Sequence, residues 1–411
     1  MDRVVVVGAS LAGFRAAEEL RARGYTGSIA LVGEEPHRPY DRPPLSKHVL
    51  AGKQLPEAIE LTPAMGSVDD LDLTWHLGVP ATGLDLAGRS VLLAGGERLP
   101  YDGLVIATGA TPRELPGTAH LDGVRTLRTL DDCLTIRAEL ALEGARPGPR
   151  RVVVVGAGFI GAEVAATCRG LGLEVTLVEA LPVPLERGVG PVLGQVVADL
   201  HRDHGVDVHL GVGVVRIVAE DGGDRVSQVH LTDGTEIDVD LVVVGVGVTP
   251  NTEWLEGSGL DTDNGVLCDE TCLAAPGVVA AGDVARWPNR RFGELMRVEH
   301  WDNAVEMGAH AARTLLADAA GRVGEPYEPI PWFWSDQYDR KIQLAGRASA
   351  TDDVVVVAGS IEERKFVAFF GREGRLVGVL GMSMPAKVMR WRSLVEAGST
   401  WDEALAAAAA S

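Results

Sequence analysis

Val4-Val5-Val6-Val7-Gly8-Ala9-Ser10-Leu11-Ala12-Gly13 decides the fold of this chain, because the pattern returns as Val152-Val153-Val154-Val155-Gly156-Ala157-Gly158-Phe159-Ile160-Gly161. The copies stand 148 positions apart, from Gly8 to Gly156. Each reads as a buried parallel strand that runs into a glycine turn opening a helix. At such a turn, backbone N–H groups and the positive end of the helix dipole receive a pyrophosphate. The candidate cradles are Gly8, Ser10, Leu11, Ala12 and Gly13, then Gly156, Gly158, Phe159, Ile160 and Gly161. Two cradles on one chain imply two dinucleotides. Electron transfer between them is the reason to hold both.

Both copies continue as strand–turn–helix–strand units. The first helix is expected over about residues 13–23, where Gly24 breaks it, and Ser28-Ile29-Ala30-Leu31-Val32-Gly33 reads as the second strand. Glu34 and Glu35 follow, about 21 residues past Gly13, where a carboxylate accepts hydrogen bonds from a ribose diol. Glu34 is the stronger candidate of the two. In the second unit residues 174–178 are the strand, and Glu179 stands 18 residues beyond Gly161 in the matching place.

Other apolar strands carry distinctive endings. Leu104-Val105-Ile106 ends at Ala107-Thr108-Gly109, and Gly277-Val278-Val279-Ala280-Ala281 ends at Gly282-Asp283. The second unit lies between them and closes with Leu241-Val242-Val243-Val244-Gly245-Val246-Gly247. This order predicts an α/β chain with two Rossmann-like domains, the second inserted into a split first one. The expected boundaries are residues 1–112 with 250–325 for the split domain, 113–249 for the insert, and 326–411 for a small α+β domain. Residues 145–149, rich in proline and glycine, read as a loop before the inserted strand. In the last domain residues 354–357, 366–370 and 376–380 are strand-like, a helix follows from Ala386, and residues 406–410 read as a frayed helix end.

Composition narrows the class. At 411 residues the chain fills two or three domains, and 46 % apolar with 23 % charged content is ordinary for a globular protein. A net charge of −20 argues against nucleic acid as a partner, since phosphate binding draws on Lys and Arg clusters. The acidity is uneven: residues 326–411 hold 10 basic and 11 acidic side chains, so nearly all of the excess precedes them. No apolar stretch reaches membrane-spanning length and no leader precedes Val4, so a cytoplasmic, membrane-free protein is expected. Cys133, Cys168, Cys268 and Cys272 form no CxxC pair. Cys268 and Cys272 lack the further ligands of a metal site, so idle thiols and no metal are expected.

Taken together, these residues resemble the FAD-dependent pyridine-nucleotide reductases, and within them the ferredoxin reductase branch that serves oxygenases. The markers are Arg38-Pro39-Tyr40-Asp41-Arg42-Pro43-Pro44-Leu45-Ser46-Lys47, Ala107-Thr108-Gly109, Leu127-Arg128-Thr129-Leu130-Asp131-Asp132, Gly282-Asp283 and Trp332-Phe333-Trp334-Ser335-Asp336. The resemblance implies that the split domain holds FAD and the inserted one binds NADH. It implies that Ala12 and its turn cradle the FAD pyrophosphate, Glu34 holds the ribose, and Ala81 contacts the adenine. It places Arg128 and Asp283 at the pyrophosphate and ribityl chain, with Arg42, Lys47, Trp301 and Trp334 around the isoalloxazine. Ser10 departs from the fingerprint, replacing its middle glycine with another small residue. Glu179 favours NADH over NADPH, because a carboxylate repels a 2′-phosphate and residues 180–185 offer no arginine to receive it.

Lys47, placed at the ring by the resemblance, is expected to stabilise negative charge on the reduced flavin, and the same resemblance implies that Glu163 pairs with Lys47 and contacts the nicotinamide. The resemblance implies that hydride passes from NADH to FAD, then single electrons to an iron–sulfur ferredoxin. Such partners are acidic, so basic clusters are the docking candidates. These are Arg286, Arg290, Arg291 and Arg297 in one region, and Lys387, Arg390 and Arg392 in another, with Arg340 and Lys341 beside them. A disulfide reductase or a peroxidase needs cysteine near position 45, where Pro43-Pro44-Leu45-Ser46-Lys47 stands. Monodehydroascorbate reductase, rubredoxin reductase and a slow FAD-bound sensor like apoptosis-inducing factor stay open as alternatives.

Overall fold

The computed structural model describes residues 1–140 and 150–410, so the loop expected at 145–149 lies outside the described residues. The chain gathers into two compact units. One comprises Met1–Asp41, Ile59–Thr111 and Thr249–Pro331, the other Arg42–Ala58, Pro112–Val248 and Trp332–Ser411. Residues 42–58 and the C-terminal residues both count with the second unit.

In the first unit the valine run forms the strand Arg3–Val7, buried from Val4 onward. It sits within a six-stranded sheet ordered Leu273–Ala275, Val278–Ala280, Gly103–Ile106, Arg3–Val7, Ser28–Gly33, Leu73–Leu77. Only the first pair is antiparallel. Consecutive chain segments lie on one side of Arg3–Val7 and later ones on the other. The strand order therefore reverses at its C-terminal end, which is where such sheets open a crevice for a ligand. The helix Leu11–Ala22, starting slightly earlier than the sequence indicates, packs against Trp301–Ala319. Gly308 permits that approach, because a Cβ there would stand 2.3 Å from the Ala12 carbonyl oxygen.

In the second unit the repeated valine run is the middle of a five-stranded parallel sheet, ordered Asp207–Leu210, Glu174–Glu179, Arg151–Val155, Leu241–Val244, Val124–Thr126. The C-terminal residues add an antiparallel sheet ordered Trp332–Gln337, Arg340–Gly346, Arg375–Met382, Lys365–Arg372, Asp353–Ser360. The helix Glu186–Asp203 explains why this sheet joins the second unit. It kinks at Gly190 (φ 74°), just before Pro191, which has no N–H to continue the ladder. Its Leu193, Val196, Val197 and Leu200 then share one core with Phe333, Ile342, Leu344, Phe366 and Leu380. Each such buried side chain contributes about 1.5–3 kcal/mol of apolar burial.

Helix Trp401–Ala409 opens on a capping box: the Thr400 hydroxyl accepts the Glu403 N–H (3.3 Å), and the Glu403 carboxylate accepts the Thr400 N–H (2.9 Å). Among the described residues no helix is long and apolar enough to cross a membrane. None of their His, Cys, Asp and Glu side chains form a group of three or more able to hold a metal ion.

Candidate functional site

Gly8 is obligatory for a backbone reason. Its φ is +121°, and a Cβ would stand 2.0 Å from the Ala107 carbonyl oxygen on the neighbouring strand. Gly13 is obligatory for a packing reason, since a Cβ there would stand 2.0 Å from the Gly8 carbonyl oxygen. Ser10 differs: as N-cap of Leu11–Ala22 it is extended, with φ −124°, so a side chain costs no strain. Its hydroxyl makes no capping bond and the first helical turn carries no acid. The first N–H groups of the helix are thus open to an anion, and the residues fit a pyrophosphate.

Around this turn, Glu34 is exposed and its carboxylate has no hydrogen bond or ion pair among the described residues. The Glu35 carboxylate is occupied, accepting the Tyr40 hydroxyl. Ala81 opens the strand Ala81–Asp85 opposite Leu93. Gly282, at φ +75°, faces Ala12: a Cβ would meet the Ala12 methyl at 3.0 Å. Asp283 follows in the same turn, its carbonyl accepting Arg297 Nη1 at 3.1 Å. The Trp301 indole donates to Asp41 Oδ1 at 2.9 Å. Asn251, which sequence reasoning missed, clamps the Ala-Thr-Gly corner. It donates its amide to the Thr108 carbonyl (2.9 Å) while its own carbonyl accepts the Thr108 hydroxyl (2.8 Å).

The second turn repeats the geometry of the first. Gly156 has φ +98°, a Cβ there would stand 2.3 Å from the Gly245 carbonyl oxygen, and one at Gly161 would stand 1.9 Å from that of Gly156. Gly158 is the N-cap of Phe159–Gly170, whose first turn carries no acid, and nothing lies within 4 Å of a Cβ built on it. Ile160 is exposed, whereas Phe159 turns inward against the Phe333 ring, 4.2 Å between centroids. Glu179 is not a free carboxylate. It accepts the Ala157 N–H (2.7 Å) and the Leu181 N–H (2.9 Å), one on each oxygen. Each oxygen keeps a second lone pair, so the group is fixed in place and still able to accept hydroxyls. Gly247, at φ +103°, is exposed and accepts the Arg113 N–H through its carbonyl.

Beside the second turn lies a buried ion pair. Lys47 Nζ donates to Glu163 Oε2 at 2.6 Å, with the side chains 12 % and 4 % exposed. Two serines absent from the sequence candidates complete it: Ser46 Oγ donates to the same oxygen (2.5 Å) and Ser335 Oγ to Oε1 (2.9 Å). Hydroxyls leave no periodic signal in a sequence, and only the Trp332-to-Asp336 marker pointed near Ser335. Arg42 also belongs to this unit, and its guanidinium donates to the Arg128 carbonyl at 2.7 Å. Asp132 caps the same segment by accepting the N–H groups of Arg128 and Thr129. Trp334 stacks obliquely on Trp332, 5.3 Å between centroids. All four thiols are buried, and burial pushes Cys133 up to about 11 and Cys168 and Cys268 up to about 12, so none is a ready nucleophile.

The expected basic clusters separate. Arg286 and Arg297 are only 15 % and 13 % exposed, the first paired with Asp261 and Asp263, the second with Glu299. Arg290 pairs with Glu270, and Arg291 donates to the Glu328 carbonyl. Arg340 and Lys341 pair with Asp339 and Asp336. On helix Pro385–Glu396 the balance is different. Lys387 lies over the Trp391 ring at 5.1 Å, and no carboxylate pairs with Lys387, Arg390 or Arg392 among the described residues.

The family described as pyridine nucleotide-disulphide oxidoreductase matches residues 2–308, and the one described as reductase C-terminal matches residues 332–411. The chain belongs to the pyridine nucleotide-disulphide oxidoreductase family. It is 40 % identical over 395 residues to the rhodocoxin reductase of Rhodococcus erythropolis, covering 95 % of this chain and 89 % of that protein. The crystal structure of the ferredoxin reductase for the CYP199A2 system of Rhodopseudomonas palustris matches with a TM-score of 0.89 at 40 % identity, over 97 % and 96 % of the two chains. Putidaredoxin reductase, in its covalent complex with putidaredoxin, matches with a TM-score of 0.89 at 34 % identity, over 97 % and 93 %. The family likeness therefore runs through both glycine turns, the Lys47 segment and the C-terminal sheet.

Proposed function

We propose that this oxidoreductase is an NADH-dependent ferredoxin reductase. In this reading the Gly8 turn, Ala12 and Glu34 hold FAD, with Ala81, Arg128 and Asp283 contributing to its grip. The Gly156 turn and Glu179 bind NADH. The observation that carries the reading is a second complete nucleotide cradle in a chain whose Pro43-to-Lys47 segment holds no cysteine and instead holds a lysine fixed by Glu163. Bound FAD supplies the chemistry of accepting a hydride and releasing its electrons one at a time.

The chain's own groups do the rest. The Lys47 ammonium, its position set by Glu163, supplies a cation that stabilises negative charge on a reduced ring. The Glu179 carboxylate, held by two backbone N–H groups, accepts the ribose hydroxyls and disfavours a 2′-phosphate. Lys387 and Arg390, with Arg392 nearby, form the basic face for an acidic iron–sulfur protein. The relatives named as ferredoxin reductases support that choice of acceptor.

Anaerobic mixing with each nucleotide, followed by addition of a [2Fe–2S] ferredoxin, tests both halves. NADH is expected to bleach the flavin rapidly, and the ferredoxin to reoxidise it with one equivalent each of two molecules. A kcat/KM at least about tenfold higher with NADPH would overturn the nucleotide assignment. Reduction of small dyes without reduction of any ferredoxin would overturn the acceptor.

A further inference from the structure

Glu163 is 3 % exposed and accepts four donors. Lys47 Nζ (2.6 Å) and Ser46 Oγ (2.5 Å) reach Oε2; Ser335 Oγ (2.9 Å) and the Asp336 N–H (3.3 Å) reach Oε1. An ionised carboxylate offers about four lone-pair sites, so this set fills it. Two of the four donors, and the support behind one of them, come from the strand Trp332–Gln337.

The direction of these bonds follows from hydrogen counting. Ser335 and Gln337 are two apart on that strand, hence on one face, and both are wholly buried. Gln337 Nε2 donates to Ser335 Oγ at 3.2 Å. A serine hydroxyl carries one hydrogen, and with Gln337 donating to its oxygen that hydrogen goes to Glu163. The opposite orientation of the Gln337 amide would draw the hydrogen away. Two oxygens, of Ser335 and Glu163, would then face each other at 2.9 Å with no proton between them. Only one arrangement therefore satisfies both the Ser335 hydroxyl and Glu163 Oε1, with the Gln337 amide as its first donor.

We propose that Ser335 is a positioning residue for the Lys47–Glu163 pair, so that a strand of the C-terminal sheet helps tune the redox centre. The proposal rests on the reading that Lys47 stabilises reduced flavin. Without the hydroxyl, Oε1 keeps only the longer backbone contact. The terminal torsion of glutamate is soft, so the carboxylate turns and the ammonium it holds moves with it. The stabilisation that a cation gives a nearby negative charge falls as the two separate.

The reduction equilibrium of the FAD-loaded protein, measured against a reference dye without NADH, reads this directly. Ser335→Ala is expected to lower it about threefold to tenfold, the worth of one hydrogen bond; the upper end corresponds to about 30 mV for a two-electron couple. Ser335→Thr, which retains the hydroxyl, restores the wild-type value. In a Glu163→Gln background Ser335→Ala adds nothing, because its effect passes through the carboxylate. Ser335→Cys keeps the volume with a weaker donor and gives the same direction where the alanine variant does not accumulate as holoprotein. No shift in either the alanine or the cysteine variant, equal shifts for alanine and threonine, or full additivity with Glu163→Gln would overturn the proposal. Lys47→Met separates it from the reading beneath it. If Lys47→Met leaves the equilibrium unchanged, that reading fails. If Lys47→Met lowers it while Ser335→Ala does not, only the positioning role fails.

Discussion

Gly8 and Ser10 stand two residues apart in one turn, and backbone angle alone makes one replaceable and the other not. At Gly8 the positive φ disfavours any side chain, and the Ala107 carbonyl oxygen occupies the space a Cβ needs. Gly8→Ala is therefore expected to cost about 3 kcal/mol or more, and to yield protein with little bound flavin. Ser10, extended at φ −124°, carries no such constraint. Ser10→Gly should change stability by only about 0.5–1 kcal/mol, the entropic cost of glycine, and leave flavin content intact. Melting temperature and the ratio of flavin to protein absorbance distinguish the two. A Gly8→Ala protein that purifies fully yellow with an unchanged melting temperature would refute the steric account. The same contrast explains what is legible at this scale. Glycines that the backbone demands announce themselves by spacing, as do Glu34 and Glu179 by their distance from a turn. Ser46, Ser335 and Asn251 do not, because each acts through hydrogen bonds to residues remote in sequence.

At the scale of elements, the helix Glu186–Asp203 and the C-terminal sheet share a buried polar contact within their apolar core. His201 is wholly buried on the helix, and its Nδ1 meets the Tyr338 hydroxyl at 2.8 Å. The Tyr338 ring stacks on His204, 3.7 Å between centroids, from the turn between strands Trp332–Gln337 and Arg340–Gly346. Burial, reinforced by the nearby His204, pushes His201 down to about 4, so it is neutral when folded at pH 7. Unfolded, an ordinary histidine takes up its proton near pH 6.5. Between those values the unfolded chain binds more protons, so stability is present above pH 6.5 and is lost as pH falls toward 4. The loss is about 3 kcal/mol, and His201→Leu should flatten the fall between pH 7 and pH 4.5 in urea unfolding. An identical pH dependence in the variant would show that His201 is not responsible. Three of the five strands of this sheet were readable from apolar runs, which extend in the structure to Asp353–Ser360, Lys365–Arg372 and Arg375–Met382. The partnership between helix and sheet was not, since an apolar stripe shows that a face is buried without showing against what.

Over the whole molecule, the sequence order of glycine turns and strand endings made the split first domain legible, because a Rossmann sheet must return to complete itself. Charge was less legible. Counting cations suggested two docking clusters, yet Arg286, Arg290 and Arg297 are each matched by acids that lie up to 25 residues away in sequence. A protein of net charge −20 repels an acidic partner at long range, so any attraction must come from a face where cations outnumber acids. Helix Pro385–Glu396 is such a face: Lys387 and Arg390 lie three apart, hence on one side, with exposed Met389 beside them. Charge reversal by Lys387→Glu with Arg390→Glu is expected to raise the KM for a ferredoxin about tenfold or more while leaving dye reduction unchanged. Arg286→Gln should do neither. Raising ionic strength from about 0.01 M to 0.15 M shortens the screening length from roughly 30 Å to 8 Å. It should therefore slow ferredoxin reduction by the wild type and have little effect on the reversed variant. If salt slows both equally, the attraction resides elsewhere on the protein, and the helix is not the docking face.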